Sequence, residues 1–112
     1  MKTKNATKTP LIFRQGDVLM ELLDACPAHL TELPRGKRGV VLAEGEVTGH
    51  AHRIANRSAK LYRSETDQRF LRVTAPVALR HEEHTTVTLP AGNYRVHIHH
   101  EYAPDEIRRV ED

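Results

Sequence analysis

From Gly39 onward, apolar and polar residues alternate in short runs separated by turn-forming residues. A period of two is the signature of half-buried strands. GVVLAEGEVTGHAHRIA reads as a buried run, Val40-Val41-Leu42, then a turn at Gly45, then a second strand carrying His50 and His52. AKLYR and RFLRVTAPVALR follow, separated by the polar turn SETDQ, and Pro76 confines the second run to a bulge or edge position. Thr85, Val87 and Leu89 fall on one side of the next strand. After the turn PAG, Tyr94, Val96 and Ile98 fall inward on another, with Arg95, His97 and His99 outward. These last two strands read as a hairpin.

Upstream, LIFRQGDVLMELL is apolar but interrupted by Gln15-Gly16-Asp17. That pattern predicts two short strands, or one strand with a bulge or turn; a short helix over Val18–Leu23 is the alternative. Residues 24–38 carry two Pro and one Gly and predict the longest loop, with a helical turn at Ala28–Glu32. Short strands, frequent turns and little helix predict an all-β fold. It is a small antiparallel β-barrel or sandwich, with at most one or two short helices.

At 112 residues the chain makes one small β domain over 11–112, preceded by a disordered basic tail over 1–10. With three Tyr, two Phe and no Trp, the core is left to Val, Leu and Ile. A small core of that kind favours a homo-oligomer. The net charge of +2 is close to balanced, which leaves the Lys-bearing tail as the place for weak nucleic-acid contact. Arg35-Gly36-Lys37-Arg38 reads as a solvated loop. Cys26 is the single cysteine, so no disulfide forms within the chain, and a reducing, cytoplasmic location is expected. The first ten residues are polar and no run approaches a membrane span, so neither a signal peptide nor a membrane is expected.

Histidine supplies the candidate chemistry. His50 and His52 in GEVTGHAHRI share one face of an extended segment with Ile54, an apolar residue that turns this face inward. Two imidazoles side by side on a pocket wall chelate one ion. Zinc then takes a third ligand from elsewhere and keeps a fourth position open if it does chemistry. HEEH, His81 to His84, is the supplier about thirty residues on. In a helical turn His81 and His84 are neighbours; in a strand His81 and Glu83 look inward and His84 outward. Both arrangements stay open, with His84 favoured as the third ligand and His81 next. Glu82 and Glu83 are the nearest carboxylates, able to orient a ligand imidazole or to take a proton from bound water as general base. HEEH falls one residue short of the helical HExxH motif. His97 and His99 fall on the polar face; His100 and Tyr102 share the parity of Tyr94 and could reach the pocket.

The ordered set RQGDV, GEVTGHAHRI, HEEH, LPAGNY and EYAP…RRV resembles an uncharacterised group of short bacterial proteins, over Arg14 to Asp112. That resemblance implies no activity. HxH followed by β-hairpins is also similar, loosely, to the cupins, although HAHRIANRSAK lacks the Glu that follows their HxH. The ligand pattern resembles that of α-class carbonic anhydrases, with HxH on one strand and a third His on another.

The sequence therefore predicts a zinc-type metalloprotein, with Fe or Mn ranked behind zinc. Its chemistry is that of a metal hydroxide: hydration or hydrolysis of a small-molecule substrate, as in a lyase or hydrolase. The alternative is a non-catalytic β-barrel that binds nucleic acid or a protein partner, through the tail and through Arg63, Arg69, Arg72, Arg80, Arg95, Arg108 and Arg109.

Overall fold

The computed structural model describes residues 11–45 and 47–99, and among these it contains ten strands and no helix. The tail over 1–10, His100, Tyr102, Arg108 and Arg109 lie outside the described residues. The strands are β1 (Ile12–Gln15), β2 (Val18–Leu23), β3 (Thr31–Glu32), β4 (Val40–Glu44) and β5 (Ala51–Ile54). They continue as β6 (Ala59–Arg63), β7 (Arg69–Val73), β8 (Val77–Leu79), β9 (Val87–Leu89) and β10 (Gly92–Ile98).

Six strands form one antiparallel sheet in the order β1-β2-β10-β7-β6-β3. Alternation sorts its faces: Val18, Met20, Leu71, Val73, Tyr94 and Val96 point into the core. The pairs β4–β5 and β8–β9 lie against that core with Val40, Leu42, Ile54, Val77, Leu79 and Leu89. They join edge to edge where Arg53 and Arg80 exchange two backbone hydrogen bonds, at 3.0 and 2.9 Å. No closed barrel forms among the described residues.

Gln15-Gly16-Asp17 makes a hairpin turn between β1 and β2, with no helix at Val18–Leu23. The helical turn expected at Ala28–Glu32 is absent as well. β-branched Thr31 sits in a short strand instead, where β3 takes up the open edge of β6 and Leu33 N–H reaches Leu61 O at 2.8 Å. The expected hairpin of the last two strands is not one. β9 pairs with β8, whereas β10 pairs with β2 and β7, so the chain changes sheets at Pro90-Ala91. Pro90 has no N–H to donate to a ladder, and its carbonyl accepts the buried Tyr94 hydroxyl at 2.6 Å. Ile98, expected inward, is 42% exposed at the end of β10. Gly39, at φ +94°, lets the chain pass β5: a Cβ there would collide with Ile54 O.

Candidate metal centre

The Arg53–Arg80 bridge is antiparallel, so the register carries on past it. His52 comes opposite His81, and Ala51 opposite Glu82. The side chains bear this out. The His52 and His81 rings are 4.3 Å apart, centroid to centroid, and Ala51 N–H donates to Glu82 Oε1 at 3.0 Å. HEEH forms a bend after β8 rather than a strand. The bend folds His84 back, 4.6 Å from His81 and 5.7 Å from His52, while His50 lies 5.7 Å from His81. Two clusters about thirty residues apart thus become one group of imidazoles. They line a cavity of about 330 Å³, together with Asp17, Glu44 and Glu83 and the exposed apolar side chains of Val47 and Ile98.

His52 is the buried member, 4% exposed. Burial, and then the neighbouring His81 and His84, lower its pKa from 6.5 to about 4. Burial and His84 also lower that of His81. Both imidazoles are therefore neutral at pH 7, the state in which a ring nitrogen can bind a cation.

Gln15 fixes which nitrogen of His52 is free. Its amide nitrogen donates to Leu79 O at 2.8 Å and to Thr85 O at 3.0 Å, which spends both hydrogens and orients the amide. Oε1 is then left facing His52 Nδ1 at 2.8 Å. Only an N–H can meet an oxygen there, so Nδ1 carries the proton and Nε2 has the lone pair. Sequence reasoning missed Gln15. The signal was parity: Gln15 lies on the inward side of β1 with Phe13 and is 2% exposed.

His50 Nδ1 is buried and has no hydrogen-bond partner; the nearest carboxylate oxygen, Glu83 Oε2, is 3.6 Å away. His81 Nδ1 accepts the Glu83 backbone N–H at 3.0 Å. His84 is exposed, with its Nε2 turned onto the Gly16 backbone, where a Cβ would stand 2.6 Å away. Gly16 has φ +58°, so its lack of a side chain serves both the turn and the close approach.

His50, His81 and Glu82 bring ligand atoms within 4.8 Å of one another and could hold a metal ion. Glu82 already has partners, however. Its Oε2 accepts from Arg53 Nη1 at 3.0 Å and from Arg38 Nη2. Partial burial raises its pKa, but the Ala51 N–H, its own backbone N–H, Arg53 and Arg38 outweigh that and bring it to about 2. Such a carboxylate is a weak base. It works as a strut, tying the HEEH bend to the start of β5. Arg38, read from sequence as part of a solvated loop, completes the strut, and Arg35 likewise donates to Ala59 O and Ala55 O. His97 stands apart on the far side of the main sheet, bonded to Glu21 at 3.0 Å.

Residues 14–99 match a family described as a domain of unknown function (DUF8820). Searches of curated proteins and of solved structures found no match.

Proposed function

The chain belongs to the DUF8820 family, and from that premise, which brings no activity with it, we propose that its histidine cluster binds a transition-metal ion, zinc by preference. The observation that carries the reading is the buried, partnerless Nδ1 of His50 among neighbouring imidazoles. A buried polar atom without a partner costs free energy, and an ion removes that cost. His52 offers Nε2, held in place by Gln15 in the way an outer carboxamide or carboxylate steadies a metal-binding histidine. His81, nearest to His52, is favoured for the third position, and His84 flanks it. Ligation by His81 through either nitrogen ends the Glu83 N–H bond to Nδ1: the ion takes Nδ1 itself, or Nδ1 must carry the proton.

Neutral imidazoles suit zinc, and zinc so held supplies the polarising charge for hydration or hydrolysis of a small electrophile. Glu83 is the carboxylate left for proton transfer, because Glu82 is engaged by two guanidinium groups. The cavity sets the size of the substrate, and its Val47 and Ile98 margins favour an apolar flank.

The test is metal content and melting of untagged protein, with and without chelator. At a hundredfold excess of zinc over Kd, mass action adds about 2.7 kcal/mol to the stability of the folded state. Zinc should restore the melting temperature that chelator lowers, His50→Ala should abolish the response, and His97→Ala should retain it. Identical melting curves for loaded and stripped protein would refute the site. Carbon dioxide hydration and activated-ester hydrolysis test the chemistry: Glu83→Gln should slow turnover while metal content stays.

A further inference from the structure

The outer face of the main sheet, remote from the histidine cluster, carries a second feature. In the β6–β7 hairpin Lys60 stands directly opposite Arg72 on this face, whereas the pair Arg63 and Arg69, three residues along each strand, shares the parity of Leu61 and Leu71 and points to the other. Like charges in facing positions destabilise an antiparallel pair. The next strand, β10, sets Arg95 beside Phe70 in the same register. The cross-strand partner of Arg95 on its other side is Glu21, but Glu21 Oε1 is taken by His97. The Arg95 guanidinium lies over Phe70 instead, 5.8 Å from the ring centroid, and its Nε is buried without a hydrogen-bond partner. Arg72 lies over Tyr62 at 5.3 Å.

We propose that this face, through Lys60, Arg72 and Arg95, binds the phosphate backbone of a single nucleic-acid strand. A facing cationic pair with a third cation on the next strand is the arrangement that a negative partner relieves. The cations are spread over three adjacent strands spaced about 4.8 Å apart. One small anion cannot meet them all, whereas a chain of phosphates can. Arginine suits the role because its planar fork bonds phosphate while its face stacks on an aromatic ring. Tyr62, half-buried beside Arg72, adds a surface on which a base can stack. The sequence reading gave the same partner to the tail and to arginines scattered along the chain. Of those arginines the fold sets Arg72 and Arg95 on this face, turns Arg63 and Arg69 to the other, and leaves Arg80 next to β5.

The test is fluorescence anisotropy of a labelled 20-nucleotide single-stranded DNA with the full chain, from 20 to 200 mM salt. Affinity should fall linearly in log–log form, and the double variant Lys60→Gln/Arg72→Gln should bind at least tenfold more weakly. Its salt slope should be shallower by about 1.4, since each phosphate contact on a single strand contributes about 0.7. Zinc uptake and the far-UV spectrum of the variant should match those of the parent, which separates lost binding from lost folding. Lys60→Gln alone, at an exposed position, should weaken binding in the same direction. Equal affinity and slope for parent and double variant would overturn the proposal, as would no binding at 20 mM salt. Saturation by micromolar inorganic phosphate, with no gain from the strand, would also overturn it.

Discussion

Replacing Gln15 by Leu keeps roughly the volume of the side chain and removes every hydrogen bond it makes. Three groups lose their partner: His52 Nδ1–H, Leu79 O and Thr85 O. A buried polar group left unpaired costs about 1–3 kcal/mol. The Thr85 carbonyl belongs to an exposed residue and can turn to water, and the buried apolar side chain of Leu offsets part of the loss at His52 and Leu79, so the sum is about 2–4 kcal/mol. For a domain of this size each kcal/mol is worth about 4–8 °C, so metal-free Gln15→Leu should melt about 8–32 °C below the parent. The second consequence is chemical. Without Oε1, His52 is released from the Nδ1–H tautomer, and zinc affinity should fall by about 10–100-fold. Long-range 15N–1H correlation spectra of the metal-free protein read the tautomer directly, and zinc titration reads the affinity. Gln15→Glu separates the two effects, because a carboxylate still accepts from His52 but donates to neither carbonyl. It should keep the tautomer and lose stability. Unchanged tautomer and unchanged zinc affinity in Gln15→Leu would refute the assignment of Gln15 as the group that orients His52.

Two further outcomes follow from the same cluster. The folded-state pKa of His52, about 4, lies below its unfolded value of 6.5, so on acidification the unfolded chain takes up the proton first. The stability this represents, up to about 3 kcal/mol, is present above pH 6.5 and lost as pH falls toward 4. Urea midpoints of the metal-free protein between pH 7.5 and 4.5 should show the fall, and His52→Gln should flatten it; a level profile for the parent would count against the buried neutral imidazole. Gly16→Ala puts a methyl 2.6 Å from His84 Nε2 at a residue with φ +58°, so it should displace the His84 ring, visible as a shift of its ring proton resonances, and cost about 1 kcal/mol in backbone strain.

The strands were legible because their signal is local: alternation and turn residues place most of them without knowledge of their partners. Partners are a different matter. Leu89 and Tyr94 alternate as a hairpin would, and nothing in LPAGNY records that Leu89 belongs to one sheet and Tyr94 to another. The histidine clusters were likewise legible, and so was their need for each other. The register that joins them was not, since it depends on Arg53 meeting Arg80, a pairing of residues far apart in the chain. Glu82 and Glu83 are adjacent and chemically alike. Only the placement of Arg38 and Arg53 makes one a strut and leaves the other at the margin of the histidine cavity.

The spacing of the two histidine clusters gives an ion a topological effect as well as a chemical one. Joining His52 to His81 closes a loop that contains β6 and β7 in full. By the chain-entropy reasoning used for cross-links, tying off about thirty residues removes about 3.5 kcal/mol of freedom from the unfolded chain. The enclosed hairpin is the one with facing cationic pairs, so the least favourable electrostatics of the sheet lies inside the span an ion would staple shut. Metal loading would then decide how tightly the cationic face is held together, from a site that touches none of its charges.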